Sequence, residues 1–337
     1  MSNHNKLLFN KDTENRLLDL EKMLEKQLSS GNTLISEEAL RILHSGGKRL
    51  RPLMTILFSS VGQKSNPDLS LRAAAAIEIM HMATLIHDDT IDNSGQRRGI
   101  ETTFKKHGTH TAIYTGDWML IRSLNILTKK NEDSGVVEDI LNILSDGLEM
   151  VCSGEIDQYF GRGKIPTTSE YFDRVSGKTA ALFAASAMIG ARITGLSDLD
   201  VHGAYKFGMN FGIAFQIRDD IIDMGNSDIV AGKPVQNDLA EGIITLPILL
   251  ACNKNKEFKK EVKSYLESPD EGQVNYIIDR AIQIGGLQVA IEECESYISK
   301  CNKYLSRLKS SSPENQRAVE DLKKIISNIF NSWGMTS

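Results

Sequence analysis

Two octapeptides decide how this chain is read: LIHDDTID at 85–92 and QIRDDIID at 216–223. Five of their eight positions are identical, and each carries the pattern DDxxD. On a helix the first and third aspartates stand at i and i+4 and the second and third at i and i+3, so each set of three carboxylates shares one face. Three like charges on one face repel one another and call for a counter-charge. One such motif alone reads best as a solvated acidic helix end. Two near-copies in apolar surroundings, 131 positions apart, read as paired metal-binding faces. Mg²⁺ suits them, because it takes octahedral oxygen ligands and is typically held by one or two carboxylates together with substrate phosphates. The expectation is a set of ions, with a diphosphate held between the two faces.

Helical periodicity dominates the rest of the chain, and alternating strand patterns are nearly absent. The spacing of apolar residues predicts helices over 14–29, 36–43, 52–62, 69–92, 112–129, 136–159, 169–194, 198–224, 244–253, 256–267, 273–285, 287–309 and 313–329. Between them, 44–51 (HSGGKRLR) is a basic glycine turn, 93–99 (NSGQRRG) a polar loop and 225–241 a glycine- and charge-rich loop. No Pro/Ser/Gly linker or low-complexity tract interrupts the 337 residues, so the prediction is a single all-α domain over 1–337, its helices arranged around a central cavity.

Composition excludes several classes. A formal charge of −5 gives no footprint for nucleic acid. Four cysteines form neither a CxxC pair nor a cluster with histidine, as expected of reduced thiols in a cytoplasmic protein. The charged N-terminus does not read as a signal peptide. The longest uninterrupted apolar runs, 180–191 and 243–252, are too short to span a bilayer, which leaves at most peripheral membrane contact.

Basic residues gather beside the motifs. Lys48, Arg49 and Arg51 follow the tandem Gly46–Gly47, Arg97 and Arg98 follow the first acidic motif, Lys178 precedes Thr179, and Lys233 follows the second motif. Arginine forks match phosphate oxygens, and lysine serves as a point charge. Glu78 and His81 form an ExxH, the spacing of di-iron bundles, but such sites need two copies and this chain has one. His81 lies about 10 Å from Asp88 along the helix at 1.5 Å per residue, where it can meet a second anionic group.

GGKRLRP (46–52), HDDTID followed by RRG (87–99), GKT (177–179), FQIRDDIID (215–223), GKP…DL (232–239) and TLP (245–247) together resemble the signature set of the trans (E-type) polyprenyl diphosphate synthases, in the same order, over about 40–250. The run IEIMHMATLIHDD followed by YTGDWML is similar to the catalytic subunit of bacterial heptaprenyl diphosphate synthases. The resemblance implies an isoprenoid-synthase-type helical bundle and a prenyltransferase that condenses isopentenyl diphosphate with an allylic diphosphate.

It also implies roles. Asp88, Asp89, Asp92, Asp219, Asp220, Asp223 and Lys178 would be catalytic, with Asp88, Asp92, Asp219 and Asp223 binding three Mg²⁺ ions. Arg97, Lys178, Thr179, Gln216 and Lys233 would hold the allylic diphosphate, and Lys48, Arg51, His81 and Arg98 isopentenyl diphosphate. In the family a bulky aromatic five residues before the first aspartate stops chain growth. Ala83 stands there, followed by Thr84, with Met80 a turn deeper as a soft lower limit. This points to a medium or long all-trans product of heptaprenyl type, as used for quinone side chains. The alternatives are a short-chain farnesyl- or geranylgeranyl-type synthase, or a non-catalytic subunit of a heteromeric one. The expected assembly is a homodimer, with or without a small second subunit. Two departures stand out: Gln236 where many members have glycine, and Ile243 where many have lysine. The terminal GMTS offers no basic tail to close the site.

Overall fold

Asn66 and Pro67 start the helix that carries the first motif. The Asn66 side chain accepts from the Leu69 N–H, and proline at the first turn loses no helical hydrogen bond. From there α4 runs over Pro67–Ile91, with Asp92 as its C-cap. The computed structural model describes residues 9–128, 134–224, 237–308 and 312–330. Within them the chain forms, in order, α1 (Lys11–Leu28), α2 (Thr33–His44), α3 (Leu50–Phe58), α4, β1 (Gln96–Arg97), β2 (Ile100–Glu101), α5 (Thr103–Asn125), α6 (Ser134–Gly161), α7 (Thr168–Val175), a π-helical turn (Ser176–Ala180), α8 (Ala181–Ile193) and α9 (Asp198–Asp223). Then follow α10 (Asn237–Ala240), α11 (Leu246–Lys254), α12 (Lys256–Glu267), α13 (Glu271–Gln283), α14 (Gly286–Leu305) and α15 (Pro313–Phe330). The described residues are all-α apart from this two-residue ladder.

Three differences from the sequence reading have local causes. The loop after α4 is a hairpin: Gln96 pairs with Glu101 and Arg97 with Ile100, around a turn in which Arg98 (φ 52°) and Gly99 (φ 78°) are both left-handed. Two positive φ values match the twist of a tight hairpin, which accounts for glycine at the end of RRG. Helix α5 begins at Thr103 rather than 112, because the Thr102 hydroxyl accepts from the Lys105 N–H, and Gly108 (φ 81°) kinks the helix. The helix predicted over 169–194 is interrupted by the π turn at GKT.

The described residues divide into two compact units. One comprises Met1–Ser145, Ala185–Tyr205 and Lys309–Leu322, the other Asp146–Ala184, Lys206–Leu308 and Lys323–Ser337. In the first, α4 packs against α5, α3 and α1. Four alanines in a row, Ala73–Ala76, let the neighbouring backbones approach α4, and all four are fully buried. Arg72 is buried with them. Its guanidinium reaches Asp68 at 2.9 Å and donates to the Ile126 and Leu127 carbonyls, satisfying acceptors where α5 ends. By length and composition α4 could cross a membrane, a property the uninterrupted apolar runs did not reveal, yet 78% of its apolar window is buried inside the fold. That burial marks it as a core helix.

Glu38 ties α2 to α5. It is 1% exposed and meets Arg41, Lys106 at 2.9 Å, His107 at 3.1 Å and the Thr103 hydroxyl at 3.0 Å. Burial pushes its carboxyl up, but the hydrogen bonds from Arg41, Lys106 and Thr103 and the Arg41 charge outweigh that and hold it at about 2. A depressed carboxyl stabilises the fold above its unfolded pKa and loses that contribution as pH falls toward the folded value. Glu38→Gln should therefore cost on the order of 2 kcal/mol near neutral pH. The gap between the two proteins should shrink below about pH 4.5 and close near pH 2. Urea melts at pH 7 and pH 3 check this, and a pH-independent gap would remove Glu38 from the acid response.

In the second unit α11 packs on α12, α13 and α14. Its core is aromatic: Phe183, Phe207, Phe211 and Phe215 touch in series, and Phe330 meets Phe211 edge-on with ring centroids 5.7 Å apart. Cys252, Cys294 and Cys301 are buried free thiols.

Candidate active site

The two acidic motifs split their aspartates the same way. In the first, Asp89 is 7% exposed and takes a 2.7 Å hydrogen bond from Arg97 Nε. In the second, Asp220 is 3% exposed and accepts three bonds: Tyr171 Oη at 2.7 Å, the Leu246 N–H at 2.9 Å and Gln216 Nε2 at 3.0 Å. Burial raises both carboxyls, an effect opposed at Asp89 by Arg97 and at Asp220 by its three donors. The first and third aspartates are more open: Asp88 and Asp223 are half-buried, Asp92 is exposed, and the Asp219 side chain is 43% exposed beside Arg218. The sequence reading grouped all six as catalytic. The structure separates them into four accessible carboxylates and two buried ones that position their surroundings.

In the first unit the basic residues converge around His81. Its Nε2 lies 3.1 Å from Arg51 Nη1, and burial together with the charges of Arg51, Arg98, Arg97 and Arg49 pulls the imidazole well below its usual range. His81 is thus neutral near pH 7, and Nε2 accepts from the guanidinium, which places its proton on Nδ1. Arg98 donates to the Gly46 carbonyl. A Cβ on Gly47 would lie 2.9 Å from Arg49 Nη1 and 3.0 Å from Arg98 Nη1, so glycine there leaves room for two guanidinium groups. Arg49 itself is spent on structure, reaching Glu78 at 2.9 Å and Glu21 at 2.8 Å. That pairing also leaves the lone ExxH with no metal role. Lys48 is exposed on the same turn. This cluster suits a diphosphate whose charge is met by several guanidiniums and one neutral donor.

In the second unit one chain of hydrogen bonds joins three motifs. The Thr179 hydroxyl of GKT donates to Gln216 Oε1 at 2.7 Å, Gln216 donates to Asp220, and Asp220 accepts the N–H of Leu246 in TLP. Lys178 reaches Glu155 Oε2 at 2.7 Å. The three motifs therefore buttress one another.

Several residues escaped the sequence reading. Tyr171 carried no signal. Asp238, in the GKP…DL stretch, is driven up to about 7 by burial and by Asp220, Asp223 and Glu241. His87, before the first aspartate pair, lies 3.4 Å from Asp117, and a Cβ on Gly116 would clash with its ring, which accounts for the glycine of YTGD. Ile243 is 8% exposed, so the position where the family often carries lysine is apolar and buried here. Lys233, Gln236 and the terminal GMTS lie outside the described residues.

The polyprenyl synthetase family matches residues 32–282. This chain belongs to that family. Heptaprenyl diphosphate synthase component 2 of Bacillus subtilis is 35% identical over 291 residues, covering 86% of this chain and 81% of that protein. A geranylgeranyl diphosphate synthase of Sulfolobus acidocaldarius is 35% identical over 71% of this chain and 73% of its own length. Among solved structures, a heptaprenyl diphosphate synthase from Staphylococcus aureus superposes with a TM-score of 0.85 at 32% identity, covering 94% of this chain and 98% of that one. A polyprenyl synthase from Caulobacter crescentus, complexed with calcium and isoprenyl diphosphate, superposes at 0.82 and 27% identity over 94% and 95% of the two chains. The fold is of the isoprenoid-synthase type, and the protein is a prenyltransferase of the diphosphate synthase class.

The carboxylates also fit a hard divalent cation. Among the described residues no cluster of three or more His, Cys, Asp or Glu could hold a metal by itself. Paired accessible aspartates can share such a cation with water and phosphate oxygens, which complete its shell.

Proposed function

We propose that this prenyltransferase is Mg²⁺-dependent and extends an allylic diphosphate with isopentenyl diphosphate to a medium or long all-trans product of heptaprenyl type. The observation that carries the reading is the matched division of the two motifs, with Asp88 and Asp92 accessible in one and Asp219 and Asp223 in the other. Those four carboxylates would hold the ions. Bound Mg²⁺ supplies Lewis-acid stabilisation of the charge that develops on the leaving diphosphate.

The chain's own residues supply the rest. Lys178, Thr179, Gln216 and Arg97 bind and orient the allylic diphosphate. Lys48, Arg51, Arg98 and neutral His81 fix isopentenyl diphosphate. When the allylic C–O bond breaks, its electron pair leaves with the diphosphate. The isopentenyl double bond attacks the carbocation, and loss of a proton restores a double bond. Neutral His81 already accepts from Arg51 at Nε2, and the accessible carboxylates of the two motifs would be committed to the ions, so the departing diphosphate takes that proton.

Product length follows from what lies below the first motif. Met80 and Ala83 are both buried in α4, and neither is an aromatic stop. The test is to incubate the protein with farnesyl diphosphate, isopentenyl diphosphate and Mg²⁺ and to size the products. The expected result is chains longer than geranylgeranyl, shortened by at least one isoprene unit in Met80→Phe. A geranylgeranyl product from the wild-type protein would select the short-chain reading.

The component name of the Bacillus relative suggests a partner subunit. Product only when a second component is added would assign the chain to a two-subunit synthase. A second copy of the chain is also proposed. Ile113, Tyr114, Ile121 and Leu124 are exposed along α5 at helical spacing, an apolar stripe that an identical helix would cover.

A further inference from the structure

Lys178 does not stand alone. Its ammonium lies 2.7 Å from Glu155 Oε2, and both side chains are about three-quarters buried, at 26% and 23% exposure. Glu155 sits on α6, and the backbones that carry the two residues are in contact. A Cβ on Gly154 would lie 2.4 Å from the Lys178 N, and one on Gly177 would lie 2.6 Å from the Met150 carbonyl. The π turn at Ser176–Ala180 fixes Lys178 further, since its wider ring rotates the side chain relative to a plain helix. The Lys178 charge is also felt by Asp238 of α10, which Asp220 and Asp223 crowd.

We propose that Glu155 is a positioning residue, holding the Lys178 ammonium ready for the allylic diphosphate and away from the carboxylates of the second acidic face. Lysine has three N–H donors, so one bond to Glu155 leaves two for phosphate oxygens. The arrangement also makes Glu155 selective. It acts only through Lys178, so it affects the allylic substrate and not isopentenyl diphosphate, whose assigned residues are Lys48, Arg51, His81 and Arg98. The proposal rests on the functional reading above, in which Lys178 meets the allylic diphosphate.

The test is calorimetric binding of farnesyl S-thiolodiphosphate, which does not ionise, to the full-length protein in Mg²⁺. Glu155→Gln, close to the same shape, should weaken binding about fivefold or more, as expected for loss of one charge-assisted bond at a partly exposed pair. Steady-state KM for isopentenyl diphosphate should stay within about twofold of wild type, since Glu155 pairs with Lys178, which is not among the residues assigned to that substrate. In a Lys178→Met background, adding Glu155→Gln should change nothing more, because a residue that acts through another loses its effect when that other is gone. Wild-type affinity in Glu155→Gln, or equal losses in both backgrounds, would overturn the proposal alone. No binding by the wild-type protein would overturn the functional reading and the proposal with it.

Discussion

Asp88→Ala and Asp219→Ala should each lower turnover with farnesyl and isopentenyl diphosphates at least ~100-fold, about 2.7 kcal/mol of transition-state stabilisation. The magnitude follows from what the carboxylates do. In the proposed reaction, ionisation of an allylic diphosphate develops negative charge on a leaving group that already carries several, and each ion the carboxylates would hold is a counter-charge where that charge grows. The effect should fall on kcat as well as KM, because the interaction strengthens in the transition state. Folding should be almost untouched. Asp88 is half-buried and Asp219 is 43% exposed, so their removal leaves no sealed cavity, and Asp219→Ala also gives up the 3.1 Å pair with Arg218. Steady-state assays across a Mg²⁺ titration, beside thermal melts, separate the two effects. Activity like the wild type in either variant would remove that face from the reaction.

The fold and the outline of the site were legible for a physical reason. The helices are amphipathic or wholly apolar, and Asn66–Pro67 and the Thr167–Glu170 capping box are start signals visible in a single sequence. The motifs were legible because their chemistry is local: carboxylates at i and i+4, or a lysine beside a threonine. What escaped the sequence was tertiary. Nothing in SEYFDRV marks Tyr171 as the donor to Asp220, and nothing in SGEID marks Glu155 as the partner of Lys178. Such pairs span 49 and 23 positions and form only when helices pack. The hairpin was missed because two residues per strand are too few to show alternation, and the π turn because GKT continues the helical pattern on either side. The division within each set of three aspartates is of the same kind. Spacing puts three carboxylates on one face, but only packing decides which of them a neighbour claims.

That division leads to the second large effect. Asp220→Ala should destabilise the protein by about 3 kcal/mol or more, while Asp219→Ala, one residue away, costs a small fraction of that. Asp220 is where three elements meet: Tyr171 of α7, Gln216 on its own helix and the first N–H of α11. Alanine leaves the Tyr171 hydroxyl and the Leu246 N–H buried without an acceptor, at about 1–3 kcal/mol each. Burial holds the Tyr171 hydroxyl protonated, its pKa raised well above the usual value and raised further by Asp220, so it can act only as a neutral donor that has lost its acceptor. Asp220→Asn distinguishes the hydrogen bonds from the charge. An amide oxygen still accepts from Tyr171 and Leu246, while burial already works against the Asp220 charge. The asparagine variant should therefore recover most of the lost stability. Chemical denaturation of the three variants checks the order. If Asp220→Asn were as unstable as Asp220→Ala, the charge rather than the acceptors would be holding α7 and α11 in place. If Asp219→Ala were the least stable, the separation into accessible and positioning aspartates would fail at the second motif.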